Sequence, residues 1–510
     1  MVRKIFTYIG IILGCALLFV VGSVVIMFLA PGVELFGIRY VTNKQGVYEL
    51  PESNQLMENF GGDIYIETDE VPINIKYSLV SNAKLEYRQE FVGFTRSENK
   101  TPSVDVSINN DNLYITSHDL VKFVYAQDFG SDGAYLNLYL PYSFSSKSIN
   151  IKSENSSVNF NATGSKPLKD VNIETAGNIN IVGDLNANSI MFYSKQPITI
   201  NENITANHIK LVATTNNINI LKDIAGTLEV ETGTASLYMK NANNLIFKTT
   251  SGSLKPVDGF SINLVTANVE THSGNINITN ITGIQESVIK TISGIINLGF
   301  ASNVTISNSR SPIYIDKINR AVITGGIGVV NIKEVLTSID VETRNGAIFL
   351  GTGDLSVSNV KAKSLTGRIV AKNVVGVADL NSVNNSVELI GKALTNTTIN
   401  ADEFVSAKKL TGEINITSNG DVNLQVDNVS GDININTNDG CKSVILDIKN
   451  NAFNELNYDL KSTKGRTINV YAGDSILSEG ESELKREPAI VGLFNITVAT
   501  TYANMFIYTK

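Results

Sequence analysis

Apolar and polar residues alternate with a period of two along most of the chain beyond about residue 60. Segment 273–278 reads Ser-Gly-Asn-Ile-Asn-Ile, so its two isoleucines fall on one side of an extended strand and the asparagine between them on the other. This alternation predicts strands with one face in a core and one face in water. The glycine ahead of the strand indicates a corner where the backbone turns tightly.

The same phrase returns at regular intervals. Its clear copies pair a small polar residue with glycine, and they begin at Ser251, Ser273, Ser293, Thr366, Thr411 and Ser430. The first three glycines are 22 and then 20 residues apart, and weaker copies lie near Pro312, Gly328, Gly346 and Asn385. Because a fixed period of roughly 20–50 residues is typical of solenoids, propellers and arrays, the repeat decides the architecture.

A second apolar run in each repeat supplies a strand that returns across the coil. Such runs lie at 288–292, 338–342 and 398–400. The chain is therefore predicted to be all-β, a single-stranded β-solenoid or β-helix with coils of about 20 residues.

The regular period covers only the middle of the chain. We expect a connector over 31–60, an N-terminal β cap over 61–147, solenoid repeats over 148–440 and a C-terminal β cap over 441–510. Segment 109–112, Asn-Asn-Asp-Asn, lies between two alternating runs and predicts a hairpin turn. Caps are expected because the open strand edges at the ends of a solenoid invite association.

The N-terminus differs from everything that follows. Arg3 and Lys4 precede an uncharged stretch, and residues 5–30 are long enough for a transmembrane helix, which needs about 20 apolar residues. Basic residues before the span predict a cytoplasmic tail over 1–4 and an extracytoplasmic bulk, so we expect a single-pass protein of the cell membrane. A cleaved signal peptide and a lipoprotein with Cys15 as the lipidated residue are the alternatives.

Composition and charge argue against several classes of function. The net charge of −8 and the pI of 5.2 argue against nucleic-acid binding, which needs a basic surface. Cys15 and Cys441 provide neither a disulfide framework nor a cysteine-based zinc site. His118, His208 and His272 are far apart and lack metal-binding spacing, so surface or turn positions are expected. No metal site and no cofactor is predicted.

The glycine-rich segment 325–328 is similar to phosphate-binding and calcium-repeat clusters. It lacks the aspartate and the helix that should follow such a cluster, so a solenoid corner is predicted instead. Neither a Gly-x-Ser-x-Gly elbow nor a GxxxxGK[ST] loop occurs in the sequence.

Three features together resemble a known bacterial family. Segment 62–66 reads Gly-Asp-Ile-Tyr-Ile, segment 135–141 is an alternating strand that ends in Leu-Pro, and the Ser/Thr-Gly-x-Ile-x-Ile array follows. Over about residues 55–510 the chain is similar to the putative-adhesin β-solenoid family, domain of unknown function 4097. The resemblance implies an extracytoplasmic, envelope-associated protein without established catalytic residues. The chain departs from the pattern in its length, its asparagine content and its blurred repeats near 301–345.

Two sets of polar residues are candidates for function. Asparagines that follow the first isoleucine or leucine of a repeat, or take the matching place, form a candidate polar binding face for glycan or another envelope polymer: Asn180, Asn219, Asn277, Asn297, Asn415 and Asn434. Solvation and hydrogen-bonded ladders between coils are the alternative explanation of this set. Carboxylates that a polysaccharide-active β-helix enzyme needs in one cluster would come from Asp402, Glu403, Glu413, Asp421 and Asp432. Acidic residues at turns are also normal for solubility.

These observations favour a membrane-anchored, extracytoplasmic β-solenoid that acts as an adhesin-like surface binding or structural module and not as an enzyme. One alternative is the ectodomain of an envelope-sensing complex, which needs a partner membrane protein. The spacing of Gly10 and Gly14 is a small-residue pattern that can pair helices. A β-helix enzyme acting on polysaccharides is the second alternative. The expected partners are the membrane and an envelope polymer, glycan or membrane protein, and not nucleic acid.

Overall fold

A computed structural model of the chain describes residues 2–30, 33–35, 37–43, 47–49, 61–69, 71–88, 91–96, 103–118, 123–126, 135–353, 355–450, 456–463, 466–472, 475–486 and 494–509. Much of the predicted connector, including residues 50–60, lies outside this set. The chain forms two compact units, unit 1 over 1–231 and unit 2 over 232–510.

Unit 1 opens with helix α1 (Val2–Leu29). Its segment Thr7–Leu29 has 23 residues and contains an 18-residue stretch with a mean hydropathy of 2.9, so it is long and apolar enough to cross a membrane. Most side chains of Thr7–Leu29 are exposed, and at the end of the helix the Phe28 ring lies 4.5 Å from the ring of Tyr40. The predicted N-terminal apolar helix is therefore confirmed.

The strands of unit 1 are mostly short. They are β1 (Glu34–Leu35), β2 (Ile38–Asn43), β3 (Val47–Glu49), β4 (Ile64–Thr68), β5 (Ile73–Ser78), β6 (Lys84–Arg88), β7 (Phe91–Arg96), β8 (Ser103–Asn109), β9 (Asn112–His118), β10 (Phe123–Ala126), β11 (Tyr135–Pro141), β12 (Ile149–Ser153), β13 (Val158–Asn161), β14 (Leu168–Thr175), β15 (Ile179–Val182), β16 (Leu185–Ser194), β17 (Ile198–Ile200), β18 (Ile204–Ala213), β19 (Ile218–Ile220) and β20 (Asp223–Thr232).

Parallel pairing arranges twelve of these strands in two ladders, whereas β1, β2, β7 and β10 form a separate antiparallel sheet. Ladder 1A runs through β11, β5, β13, β15, β17 and β19. Ladder 1B runs through β9, β4, β12, β14, β16 and β18. The stacking thus starts at β4 and β5, inside the segment for which a cap is predicted. Antiparallel strands lie beside it: β8 pairs with β9 through the predicted hairpin turn, where Asn110 and Asp111 have φ of 50° and 64°.

The strands of unit 2 include several that are much longer. They are β21 (Leu237–Met239), β22 (Asn241–Thr249), β23 (Leu254–Pro256), β24 (Asn263–Thr271), β25 (Ile276–Ile281), β26 (Ser287–Thr291), β27 (Ile296–Asn308), β28 (Ile313–Gly325), β29 (Val330–Thr343), β30 (Ile348–Leu350), β31 (Val357–Ser364), β32 (Ile369–Ser382), β33 (Val387–Ala401), β34 (Val405–Leu410), β35 (Glu413–Ser418), β36 (Val422–Val426), β37 (Ile433–Thr437), β38 (Ser443–Ile448), β39 (Asn457–Ser462), β40 (Ile468–Ala472), β41 (Ser475–Glu481), β42 (Glu483–Arg486), β43 (Asn495–Thr500) and β44 (Asn504–Thr509).

Unit 2 also has two parallel ladders. Ladder 2A contains β21, β23, β25, β30, β34, β36, β38, β44 and β40. Ladder 2B contains β22, β24, β26, β31, β35, β37, β43 and β39. The long strands β27, β28, β29, β32 and β33 run through a bend and serve 2A with their first half and 2B with their second. At the far end, β41 and β42 pair antiparallel with β40 and β39.

The core of each unit is a stack of inward isoleucine, leucine and valine side chains. Ile276 and Ile414 have none of their surface exposed, whereas Asn277 and Asn415 beside them are partly exposed. Burial of each inward side chain removes its apolar surface from water. This burial is the main favourable contribution to the stability of such a fold. The predicted inward and outward faces, and with them the all-β solenoid, are confirmed.

A stack of glycines turns the chain between ladders 2B and 2A. A Cβ on Gly274 would lie 1.7 Å from the carbonyl oxygen of Gly252, and one on Gly294 would lie 1.8 Å from that of Gly274. Only a residue without a side chain allows the coils to approach this closely. Each glycine N–H also donates to a threonine three residues earlier, at 2.9 Å for Thr271 and 3.0 Å for Thr291. The segment 325–328 forms a corner of the same series, between β28 and β29, as predicted.

Candidate functional site

Asn180 lies in a hydrogen-bonded ladder of asparagine amides on the outward face of ladder 1A. The bonds run from Asn74 Nδ2 to Asn137 Oδ1 (2.9 Å), from Asn159 Nδ2 to Asn74 Oδ1 (3.0 Å), from Asn180 Nδ2 to Asn159 Oδ1 (3.4 Å) and from Asn201 Nδ2 to Asn180 Oδ1 (2.7 Å). Asn219 follows in the same register, two strands beyond Asn180. Amide ladders of this kind stabilise stacked strands.

The four predicted asparagines of unit 2 form two separate pairs. Asn297 Nδ2 donates to Asn277 Oδ1 at 2.7 Å on ladder 2A. Asn434 Nδ2 donates to Asn415 Oδ1 at 3.0 Å on ladder 2B. The prediction that all of these residues share one comparable position is therefore wrong for unit 2.

The reason is that one sequence phrase forms two kinds of corner. At 273–276 the phrase leads into ladder 2A, and Gly274 has φ outside the left-handed region. At 411–414 it leads into ladder 2B, and Gly412 has φ of 79°. Both corners need glycine, so the phrase alone does not tell them apart.

Asn277 and Asn297 line a shallow open groove of about 330 Å³ on ladder 2A. Tyr314 follows Asn297 in register and is 43% exposed, and Asp316 lies on the same rim, paired with Lys333 at 2.7 Å. In the described part of the chain, Asn277 Nδ2 and Asn297 Oδ1 have no protein partner. The groove therefore offers a hydrogen-bond donor, an acceptor and an exposed aromatic ring side by side.

Sequence reasoning missed Tyr314 because it lies in the next coil, 17 residues after Asn297. A residue-by-residue alignment of neighbouring coils would have found it. That alignment pairs Ile296 with Ile313 and so places the tyrosine beside the asparagine.

Four of the five candidate carboxylates accept hydrogen bonds from neighbouring groups of the protein. Asp421 Oδ1 accepts the backbone N–H groups of Lys442 and Ser443 at 2.7 and 3.0 Å. Asp432 Oδ1 accepts the N–H of Asn495 at 2.9 Å, and Glu413 Oε1 accepts Asn415 Nδ2 at 2.9 Å. Asp402 accepts a bond from the Asn419 amide, and Glu403 is exposed at the same corner. Because Asp421 directly precedes a strand of 2A and Asp432 one of 2B, these two candidate carboxylates lie on different ladders.

A small charge cluster surrounds Lys210 on ladder 1B. Lys210 Nζ lies 3.0 Å from Glu229 and 3.3 Å from Glu231, and His208 Nε2 lies 3.4 Å from Glu229. The hydrogen bond to Glu229 raises the pKa of the Lys210 ammonium, and the same bond lowers the pKa of the Glu229 carboxyl. Both groups stay charged near neutral pH, which is typical of a solvated ion pair.

The remaining candidate ligands do not meet. Burial raises the pKa of the buried Cys441 thiol, Cys15 is exposed on α1, and His272 lies at an exposed corner. The side chain of His118 lies outside the described residues. Within the described ranges, no three His, Cys, Asp or Glu side chains are close enough to hold a metal ion.

Comparison with known protein families agrees with this architecture. Residues 62–310 match the family model described as Toastrack DUF4097, which confirms the resemblance predicted from the sequence. A crystal structure of a "putative cell adhesion protein" from Clostridium sporogenes ATCC 15579 matches at 12% identity and a TM-score of 0.21, covering 46% of this chain and 99% of that one. At that TM-score the likeness carries no functional assignment. No curated protein matches the chain.

Proposed function

We propose, from the Toastrack region that begins at residue 62, that the chain is a membrane-anchored, extracytoplasmic β-solenoid that binds an envelope polymer. The fold supports a binding role because a solenoid displays long, regular strand faces on which equivalent groups recur from coil to coil. We also propose that the chain acts in an adhesin-like way when it binds this polymer.

The observation that carries the proposal is the groove on ladder 2A. It joins two residues selected from the sequence, Asn277 and Asn297, to the exposed ring of Tyr314. An amide donor, an amide acceptor and an aromatic face suit a polyhydroxylated ligand, because hydroxyl groups both donate and accept. The groove is shallow and open, which suits a polymer that lies across it.

The anchoring role is proposed for α1. Its exposed apolar surface needs a lipid environment, and Arg3 and Lys4 before the span favour a cytoplasmic N-terminus with the chain beyond the span outside. An accessibility assay with a membrane-impermeant thiol reagent tests this orientation on a Ser251→Cys chain in intact cells. Labelling of that chain supports the orientation, and labelling only after lysis overturns it.

A binding role and not catalysis is proposed because the candidate carboxylates serve the fold. Asp421 and Asp432 cap backbone N–H groups of neighbouring coils, so their oxygens are aimed at the protein. Catalytic carboxylate pairs in glycosidases instead flank the substrate bond across a short gap.

The direct test is co-sedimentation of the full chain, reconstituted in nanodiscs, with insoluble peptidoglycan, chitin or cellulose. We expect saturable binding that Asn297→Ala and Tyr314→Ala each weaken by about tenfold. Asn434→Ala is the matched control, because it breaks the same kind of amide pair on ladder 2B and should leave binding unchanged. If the full chain sediments with none of these polymers, the proposed function is overturned.

A further inference from the structure

A second outward face, on ladder 1B, carries an aromatic pair that the sequence analysis did not select. Tyr65 and Tyr114 lie in register on β4 and β9, and their rings stack with centroids 4.9 Å apart and planes 9° apart. Beyond Tyr65 the register continues with Asn150, Asn172 and Met191. These five positions form one line of outward side chains across successive strands.

The change from tyrosine to asparagine leaves a notch in this line. A groove of about 310 Å³ opens over Asn150 and Asn172, between the tyrosine pair and Met191, which is 46% exposed. One face of the Tyr65 ring is covered by Tyr114, and the other is turned towards the shorter Asn150. The notch therefore has an aromatic wall, an amide floor and an apolar wall.

The amide floor is only half satisfied. Asn172 Nδ2 donates to Asn150 Oδ1 at 2.8 Å. This bond leaves Asn150 Nδ2 and Asn172 Oδ1 without a protein partner in the described part of the chain. A donor and an acceptor side by side match two neighbouring hydroxyl groups, each of which can accept and donate.

The charges beside the notch select against an anion. Lys152 lies in register between Glu67 and Glu174, and all three line the groove. Among the described residues Lys152 forms no ion pair, so all three side chains remain free to reach a ligand. Two carboxylates and one ammonium leave the rim net negative, which repels a polyanion and is compatible with a neutral ligand.

The tyrosine hydroxyl adds a donor. Burial, then the Asp63 carboxylate and the neighbouring Tyr114, raise the pKa of the Tyr65 hydroxyl. The group therefore stays protonated over the whole neutral range.

We propose that this notch binds a neutral pyranose unit of a polysaccharide, with the C–H face of the sugar on the free face of Tyr65 and two adjacent hydroxyls on Asn150 and Asn172. The inference rests on the proposed function, since both require the solenoid to bind a polymer. The notch lies in unit 1, whereas the groove of Asn277 and Asn297 lies in unit 2. The inference also names the chemical class of the ligand, a neutral pyranose. A ring with equatorial hydroxyls fits best, because its C–H groups then form a flat apolar face for the aromatic ring.

Isothermal titration of the full chain in nanodiscs with cellohexaose, chitohexaose and hexagalacturonate tests the inference. We expect saturable binding of a neutral hexasaccharide and at least about tenfold weaker binding of the acidic one. Tyr65→Ala should weaken neutral binding by about tenfold or more. Asn150→Leu, which keeps the shape of the side chain and removes both its free donor and the oxygen that accepts from Asn172, should have a similar effect without disturbing the ring stack.

Tyr508→Ala is the matched control, because Tyr471 and Tyr508 stack in the same way, with ring centroids 5.1 Å apart, outside both grooves. It should leave hexasaccharide binding unchanged, and a thermal melt of each variant checks that the fold survives. Hexasaccharide binding that Tyr65→Ala and Asn150→Leu leave intact overturns this inference, while loss of polymer sedimentation on Tyr314→Ala would still support the proposed function. Failure of every polymer and hexasaccharide to bind overturns both.

Discussion

The coils at 237–291 and at 296–343, both in unit 2, build the same two ladders from strands of different length. In the first region β21 to β26 have three to nine residues, and separate strands serve 2A and 2B except that the end of β25 also pairs with the start of β24. In the second, β27, β28 and β29 have 13, 13 and 14 residues and each serves both ladders. Ile276 and Ile313 are almost equally buried, at 0% and 1% exposed, so the core is the same.

The difference lies in the turn from 2A to 2B. In the first region the chain leaves the strand and crosses by a loop, as at 282–286. In the second it stays inside the strand: Ala301 pairs with Ile281 and Val304 with Ser287, so two half-buried residues, Ser302 and Asn303, take the place of the loop without ending the strand. A bend needs no special turn residues, whereas a loop does. This is why the repeats near 301–345 are blurred in sequence while the coils continue regularly in space.

The largest expected loss of stability follows from substitutions in the core that the two regions share. Ile276→Asp and Ile313→Asp should each destabilise the chain by about 4 kcal/mol or more, because each buries a carboxylate without a partner. Equal losses in the two regions would show that strand length does not change the core. The measurement is the urea-unfolding midpoint of the full chain in detergent, with Ile276→Val as the mild control, expected to cost about 1 kcal/mol. An unchanged midpoint for Ile276→Asp would contradict the inward register.

The next effect concerns the glycine corner. Gly274→Ala should cost about 1–3 kcal/mol, because its Cβ would lie 1.7 Å from a backbone oxygen and the coils must separate. Gly353→Ala is the control, since the nearest atom to its Cβ is a leucine carbon at 4.0 Å. If both variants melt at the temperature of the unmodified chain, close approach of the coils is not what holds glycine at this corner.

Sequence reasoning succeeded where one residue type has one physical role. The inward isoleucines, the hairpin turn at Asn110 and the corner at Gly274 follow from periodicity and backbone freedom. It failed for Asn415, because the phrase before it forms a corner of the other kind. It did not find Tyr65 beside Tyr114, since their pairing joins positions 49 residues apart and skips the intervening strands β5 to β8. Pairing of distant strands depends on the whole fold and not on local pattern.

The threonine three residues before the corner glycine was also missed, and it distinguishes the two regions. Thr271 Oγ1 accepts the N–H of Gly274 at 2.9 Å, and the side chain is buried. In the later region the N–H of Gly346 is bonded to the backbone oxygen of Gly326 at 3.0 Å, and Thr343 Oγ1 instead donates to the Gly346 oxygen at 2.6 Å. The first corner therefore needs its threonine to accept the buried N–H of the glycine, and the later corner does not.

Thr271→Val should therefore cost more than Thr343→Val. We expect about 1–3 kcal/mol for the first, where a buried N–H loses its acceptor, and about 1 kcal/mol for the second, where only one hydrogen bond to a carbonyl is lost. Urea midpoints measure both losses. Thr271→Ser should retain most of the stability of the unmodified chain, because the serine hydroxyl can accept the same bond. A larger loss for Thr343→Val would reverse the roles assigned to the two corners.

The smallest effect is expected on the outward face, where the two regions should again agree. Asn277→Ser breaks the amide bond to Asn297, and Asn331→Ser breaks the bond that Thr352 donates to Asn331 at 2.9 Å. Both side chains are partly exposed, so water replaces the lost partner and each change should stay within about 0.5 kcal/mol. The same urea experiment measures them. A loss as large as that of Ile276→Asp would mean that the asparagine face of ladder 2A lies in the interior, and the groove proposed as a binding surface on that face would then be closed to any polymer.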